Sequence, residues 1–337
     1  MDQNALEKIR ETLLSHHNEL NNWLQQKSAK KELHLGGAPV KNVLAVLNEL
    51  ETTLQKLDQG KFGECEVCHE DVNTELLEVD YTASVCIDHL SEKQRRSLER
   101  DLELAGKVQR QLLPGYAPSL PDINIATYSK PAQFVGGDYY DFFACPNGSQ
   151  GIAIADVMGK GLSASMLMSN LQATLRIIGP QFQDPALTAQ RLNELFIHNL
   201  KLIRFISIFL GIYDPKNFTL QYCNAGHHPP FLWKAEAENI VQLFPTGPAI
   251  GLSKNPEFGL DSISLEKGDL LLLYTDGILE LRNDRGEEFG EERLKNLMIK
   301  FNTLEASHFI EEIKSVLTQF SSRVQDDISL MVFQRRK

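Results

Sequence analysis

Leu6, Ile9, Leu13, His16, Leu20 and Trp23 recur three and four residues apart, a spacing that predicts a helix with one apolar stripe. The stretch "SAKKELHLGGAP" then interrupts the pattern with glycines and a proline. Val40, Val43, Leu47, Leu50, Leu54 and Leu57 resume it, so residues 1–60 read as a helical hairpin closing stripe against stripe. A third helix is expected from Ser91 to Leu113, stopped by Pro114, with Leu98, Leu102, Ala105, Gln109 and Leu112 along its seam. Gln109 is a polar break there, and so short a seam needs a partner, either the hairpin or a second copy of the chain in a parallel homodimer. From Tyr116 onward the period shortens. "GIAIADV", "FISIFLGIYD", "FTLQYCNAG", "DLLLLYTDG" and "ISLMVF" read as strands, while "GLSASMLMSNLQATLRII", "LTAQRLNELFIHNLK" and "LEASHFIEEIKSVLTQF" keep helical spacing. The neighbouring runs Phe205–Tyr213 and Phe218–Cys223 predict antiparallel pairing, and helices laid on an antiparallel sheet make the fold class α+β.

Composition adds limits rather than detail. The 337 residues exceed what one core usually supports, and 42% hydrophobic with 23% charged residues is an ordinary globular mixture. A formal charge of −11 argues against bulk attraction to nucleic acid or an anionic membrane. No apolar run approaches the ~18 residues of a spanning helix. The opening "MDQNALEKIRETLL" is charged and amphipathic, unlike a secretory signal. The five cysteines, three of them near one another, suit metal ligation in a reducing compartment, and the expected location is cytoplasmic.

Cys65 and Cys68 form a C-x2-C knuckle, and 17 residues later Cys86 and His89 repeat the spacing as C-x2-H. Thiolates and an imidazole so arranged suit one structural Zn²⁺, with His69 beside the knuckle as an alternative to His89. The segment "LDQGKFGECEVCHEDVNTELLEVDYTASVCIDH", with the hairpin before it, resembles the DksA/TraR zinc-finger family of bacterial transcription factors. His89 stands where that family has a fourth cysteine, and the hairpin tip is basic and Gly-rich rather than acidic. The resemblance implies a zinc finger over 61–90 and raises RNA polymerase as a partner.

Asp138, Asp156, Asp276 and the tandem Asp326–Asp327 each lie at the junction of an expected strand and a turn. Strands running in alternate directions can bring such junctions to one edge of a sheet. Carboxylates gathered there repel, and oxygen ligands point to Mg²⁺ or Mn²⁺ as the relieving charge. Taken singly each acid is equally a turn residue; their order along the chain carries the argument. "VGGDYYDFF", "IADVMGKGLSASMLMS", "CNAGHHPPFL", "LLLYTDGILE" and "DDISLMVF", preceded by "LELAGKVQRQLLP", resemble the metal-dependent Ser/Thr phosphatase (PPM) family in its bacterial SpoIIE/RsbU branch. The resemblance implies an α-β-β-α sandwich over 116–337, joined by a linker helix over 91–115, with two metals at one end of the sheets. It assigns them Asp138, Asp156, the Val157 carbonyl, Asp276 and Asp326, with Asp327 open as the alternative to Asp326. Gly136 and Gly137 are expected to permit a tight turn beside Asp138.

The same resemblance implies a phosphatase for phosphoserine or phosphothreonine, acting through water, with a STAS-type anti-anti-sigma protein as its substrate. The N-terminal zinc module and linker would regulate it. Cys145 and Cys223 read as bystanders, His227–His228 as a turn or cleft wall, and "GKGLSASM" as a helix start that lacks the phosphate-loop spacing. The rival readings are a DksA-like regulator carrying an inactive phosphatase fold, and a phosphatase for small molecules.

Overall fold

The computed structural model describes residues 40–72, 77, 83–89, 91–159, 161–197 and 205–336, with scattered positions from 6 to 21. The chain divides into two compact units, Met1–Glu99 and Arg100–Lys337.

In the first unit, the described positions from 6 to 21 are helical, and helix α1 follows at Val40–Asp58. Ile9, Leu13 and Leu50 are buried together, with Leu54, Leu57 and Phe62 packed on them. Arg10 pairs with Asp58 at 3.0 Å and His17 with Glu51 at 3.1 Å, so one segment ascends as the other descends. His16, Leu20, Trp23 and the hairpin tip lie outside the described residues. Helix α2, Glu92–Leu112, runs across the boundary between the units.

The second unit holds two five-stranded sheets. β1 (Ile123–Lys130), β10 (Ile328–Arg335), β9 (Leu270–Tyr274), β6 (Phe231–Lys234) and β7 (Asn239–Gln242) lie in that order in one. β2 (Tyr139–Ala144), β3 (Gln150–Val157), β4 (Ile206–Asp214), β5 (Thr219–Ala225) and β8 (Asp261–Ser264) make the other. Every ladder is antiparallel. Helices α3 (Gly161–Ile178) and α4 (Pro185–Phe196) cover one sheet; α5 (Gly290–Phe301) and α6 (Ala306–Phe320) cover the other.

The apolar runs explain this layering, because the two-residue period of a strand sends alternate side chains to different cores. Ile152 and Ile154 of β3 face the inter-sheet core, with Phe209, Leu271, Leu273, Met331 and Phe333. Ala153, Ala155 and Val157 of the same strand face α3 and α4. Leu270, Leu272 and Tyr274 of β9 likewise turn away from Leu271 and Leu273, toward α5 and α6. Both faces of the central strands β3, β4, β9 and β10 are therefore dry, which is why these antiparallel strands read as continuous apolar runs, while the edge strands β7 and β8 stay largely exposed. Each fully buried Ile, Leu or Phe contributes about 1.5–3 kcal/mol of transfer free energy. The α-β-β-α sandwich is the architecture expected. Among the described residues no helix is long and apolar enough to cross a membrane.

Candidate active site

β2 begins at Tyr139, opposite Ala155 near the end of β3, and β10 begins at Ile328, close to where β9 ends at Tyr274. Two strand starts and two strand ends thus bring Asp138, Asp156, Asp276 and Asp326–Asp327 toward one another. Asp138 is almost wholly buried, and burial, then the charges of Asp156 and Asp327, push its carboxyl well above the usual range. Asp156 is pushed up to about 7, by burial first and then by Asp276, Asp326, Asp327 and Glu280. Glu280 was not foreseen; it lies one helical turn beyond Asp276, to whose carbonyl its N–H donates at 2.9 Å.

The supporting polar groups were also hidden in the sequence. The Thr275 hydroxyl donates to Asp138 Oδ2 at 2.7 Å and accepts the Ser329 N–H at 2.9 Å, tying β9 and β10 to the acid that precedes β2. Asp327 accepts N–H groups from Ala132 at 2.8 Å and Gly137 at 2.6 Å. The two glycines before Asp138 serve close approach, not the positive φ that a tight turn often needs: neither is in that region. A Cβ on Gly136 would lie 2.3 Å from Asp327 Oδ2, and one on Gly137 would lie 2.8 Å from the Val157 carbonyl oxygen.

Gln109, expected only as a flaw in the α2 seam, makes a two-way contact with the same turn. Its Nε2 donates to the Gly136 carbonyl at 2.6 Å and its Oε1 accepts the Gly136 N–H at 3.0 Å. One helical turn earlier, Gly106 brings α2 so close that a Cβ would sit 2.2 Å from the Phe134 carbonyl oxygen. Arg176 of α3 donates to the Leu112 carbonyl at 3.1 Å and pairs with buried Asp141 at 2.8 Å, closing the end of α2.

The adjacent histidines diverge, their rings 78° apart. His227 is buried, its Nδ1 2.9 Å from Ser207 Oγ, and burial lowers its pKa to about 3, so it is neutral at pH 7. Ser207 is the β4 residue paired with Asp156. His228 is half-exposed, its Nε2 3.9 Å from Asp276 Oδ2. The Cys145 and Cys223 thiols are buried and pushed up, that of Cys223 to about 11, which leaves neither as a nucleophile at neutral pH.

In the first unit, Cys65, Cys68, Cys86 and His89 bring their donor atoms within 4.8 Å of one another, and among the described residues no other Cys, His, Asp or Glu set does so. The Cys68–Cys86 and Cys65–His89 separations are 3.8 and 3.9 Å. The edge of a tetrahedron with Zn–S bonds of 2.3 Å is about 3.8 Å. Cys86 and His89 are closer, at 2.8 Å. Backbone N–H groups of Cys68 and Cys86 lower the Cys65 thiol to about 6, while burial and the neighbouring Cys65 and Cys68 push Cys86 up to about 11, so the first thiolate of the set forms on Cys65. His69 points elsewhere, its Nδ1 3.0 Å from Glu64.

The carboxylates span a wider area than this Cys/His set, and their donors are all oxygen. Burial lifts Asp138 and Asp156 first and the neighbouring acids lift them further; hard divalent cations offset both effects, so these residues fit Mg²⁺ or Mn²⁺ and the Cys/His set fits Zn²⁺.

Comparison with known proteins agrees with this geometry. Residues 146–336 match the family described as Stage II sporulation protein E (SpoIIE). The chain is 29% identical over 244 residues to the phosphoserine phosphatase RsbU of Bacillus subtilis (strain 168), covering 72% of each. It is 31% identical over 188 residues to the phosphoserine phosphatase RsbP of the same organism, covering 54% of this chain and 46% of RsbP. The SiaA-PP2C domain of Pseudomonas aeruginosa superposes with a TM-score of 0.64 at 20% identity, over 73% of this chain and 99% of that one. The RsbU and RsbW domains of Rv1364c from Mycobacterium tuberculosis give 0.59 at 26% identity, over 67% and 63%. Because the family match alone takes in more than half of the sequence, and falls on the unit that carries the acid cluster, the chain belongs to the SpoIIE family of PP2C-type serine/threonine phosphatases.

Proposed function

We propose that the chain removes phosphate from phosphoserine or phosphothreonine in a small STAS-type protein, with two Mn²⁺ or Mg²⁺ held by Asp138, Asp156, the Val157 carbonyl, Asp276 and Asp326. The observation that carries this reading is the convergence on Asp156 of acids from positions 276, 280, 326 and 327. Two such ions, when bound, supply a water nucleophile at neutral pH and neutralise charge on the phosphoryl oxygens. The protein's own part is to fix the ligands. Thr275 orients Asp138, the buried position of that acid excludes bulk water, and Gly137 leaves room for the Val157 carbonyl. Phosphoserine as the group cleaved is supported by the description of RsbU and RsbP as phosphoserine phosphatases, and a protein partner by a related chain in which an RsbU domain is joined to an RsbW domain. The direct test is phosphate release from a phosphorylated STAS protein, with free phosphoserine and a nucleotide as competitors. Mn²⁺-dependent release, abolished by EDTA and selective for the protein, is expected. Equal turnover of the small molecules would reassign the substrate class.

The N-terminal module is inferred to bind one Zn²⁺ through Cys65, Cys68, Cys86 and His89 and to regulate the phosphatase through α2. Zinc binding at such sites supplies about 10–16 kcal/mol at pH 7, far more than the small cluster of Cys65, Val72 and Leu77 could. Elemental analysis should find one zinc per chain. Cys65→Ser should lose it, and Cys145→Ser should keep it. Coupling through α2 rests on Gln109. Each of its two bonds to Gly136 is worth about 1 kcal/mol, so Gln109→Ala is expected to lower kcat by up to roughly 30-fold with KM unchanged. The exposed Leu98, Leu104 and Val108 of α2 support pairing with a second copy, which sedimentation of the full chain would reveal.

A further inference from the structure

The tandem acids at the start of β10 are put to different uses. Resting on the metal-site reading above, we propose that Asp327 is a positioning residue rather than a ligand, and that its carboxylate staples residues 132–138 to β10 and thereby fixes where Asp138 sits. Both of its oxygens are committed to backbone donors: Oδ1 to the Ala132 N–H at 2.8 Å, Oδ2 to the Gly137 N–H at 2.6 Å. The carboxylate lies flat on the chain at Gly136, where even a methyl group would come within 2.3 Å of Oδ2. Its main chain is wedged on the other side as well, since a Cβ on Gly277 would meet the Asp327 carbonyl oxygen at 2.0 Å. One residue is thus packed between the turn that carries Asp138 and the turn that carries Asp276. Asp326 Oδ1 accepts the Asp327 N–H at 2.9 Å, which ties the two acids of the tandem to each other.

The local chain path makes this possible. β1 pairs with β10 so that Lys130 lies opposite Ile328, and the strand exit therefore delivers the Ala132 N–H beside Asp327. An ionised carboxylate can accept about four hydrogen bonds, so it holds two N–H groups from separate positions at once. An asparagine has one acceptor oxygen and would turn an N–H toward the second donor.

The test uses the full chain and counts ions. Mn²⁺ binding is titrated calorimetrically on wild type, Asp326→Asn and Asp327→Asn, and amide exchange is followed across residues 132–138. Asp326→Asn should lose one ion. Asp327→Asn should bind as many ions as wild type, about tenfold more weakly, with kcat lowered roughly 10–100-fold at constant KM and faster exchange at Gly137. Loss of one ion in Asp327→Asn, with Gly137 exchange unchanged, would overturn the proposal. Wild type provides a second reading that needs no variant. Protection of the Ala132 and Gly137 amides should be the same with and without Mg²⁺, whereas its loss on adding Mg²⁺ would mean that Asp327 turns to the ion. A chain that binds no Mn²⁺ at all would remove the metal-site reading, while exchange at Gly137 in Asp327→Asn would still report on the staple.

Discussion

Asp156→Asn should lower phosphatase turnover by roughly 10³-fold while making the metal-free protein more stable. Both effects have one cause. Asp156 sits where burial and four other acids oppose its charge, and its carboxyl is pushed up to about 7 as a result. Asparagine keeps the shape and removes the charge, so the repulsion within the cluster falls. The same charge is what a divalent cation would bind, and losing a single electrostatic group from a hydrolytic site typically costs about 10²–10³-fold. Asp276→Asn should reduce turnover comparably, but with less gain in stability, because its side chain is about one-third exposed. Glu280→Gln is the control. That residue is exposed and acts on Asp156 only at the end of the series, so its loss should change turnover less than about threefold. Steady-state kinetics with Mn²⁺ and thermal melting after chelation measure the two quantities separately. A variant that lost stability as well as activity would indicate that Asp156 is a structural anchor.

Much of this site was legible because each acid ends or begins an apolar run. "GIAIAD" and "LLLLYTD" finish in acids, and "DDISLMVF" opens with them, so the strand limits and the candidate residues are one signal. Convergence followed from antiparallel order. What the sequence could not display are contacts between residues far apart in the chain. Nothing local to "VGGD" says that the Gly136 Cα must clear a carboxylate 191 positions later, or that Gly137 must clear the Val157 carbonyl. Gln109 looks like a seam defect until Gly136 is placed beside it. Thr275 precedes an Asp-Gly turn and reads as turn chemistry, yet it is fully buried and orients Asp138. The tandem at 326–327 defeats pattern reading for a simple reason: a shift of one residue in a strand reverses the face on which a side chain emerges. β6, β7 and β8 escaped notice because each is four residues long, too short for alternation to show. α5 has only Leu294 and Met298 buried, a stripe too brief to stand out among its charges.

The stability of metal-free wild type, compared with Asp156→Asn, should depend on pH in one direction. Asp156 titrates near 3.8 when unfolded and near 7 when folded, so between those values the folded chain holds a proton that the unfolded chain has released. Stability contributed by this group therefore falls as pH rises through that window. Below about pH 4 both forms are protonated and the variant should match wild type. Above pH 7 wild type carries the buried charge and should be the less stable, by on the order of 4 kcal/mol if the whole shift is expressed. Buried His227 works in the opposite sense. Its pKa falls from 6.5 to about 3 on folding, so its contribution is present above pH 6.5 and is lost as pH falls toward 3. In wild type the two trends oppose each other across much of the same range, and buried Asp138, whose carboxyl is also pushed up, acts in the same sense as Asp156. Subtracting the profile of Asp156→Asn removes the His227 contribution, because both proteins share it. The difference should be near zero at pH 4, grow to pH 7 and then level off. Saturating Mn²⁺ should invert the order above pH 7, since the charge that destabilises the metal-free cluster is the charge that binds the ion. A difference independent of pH would mean that Asp156 keeps an ordinary carboxylate pKa, and the crowding of acids around it would then have no energetic consequence.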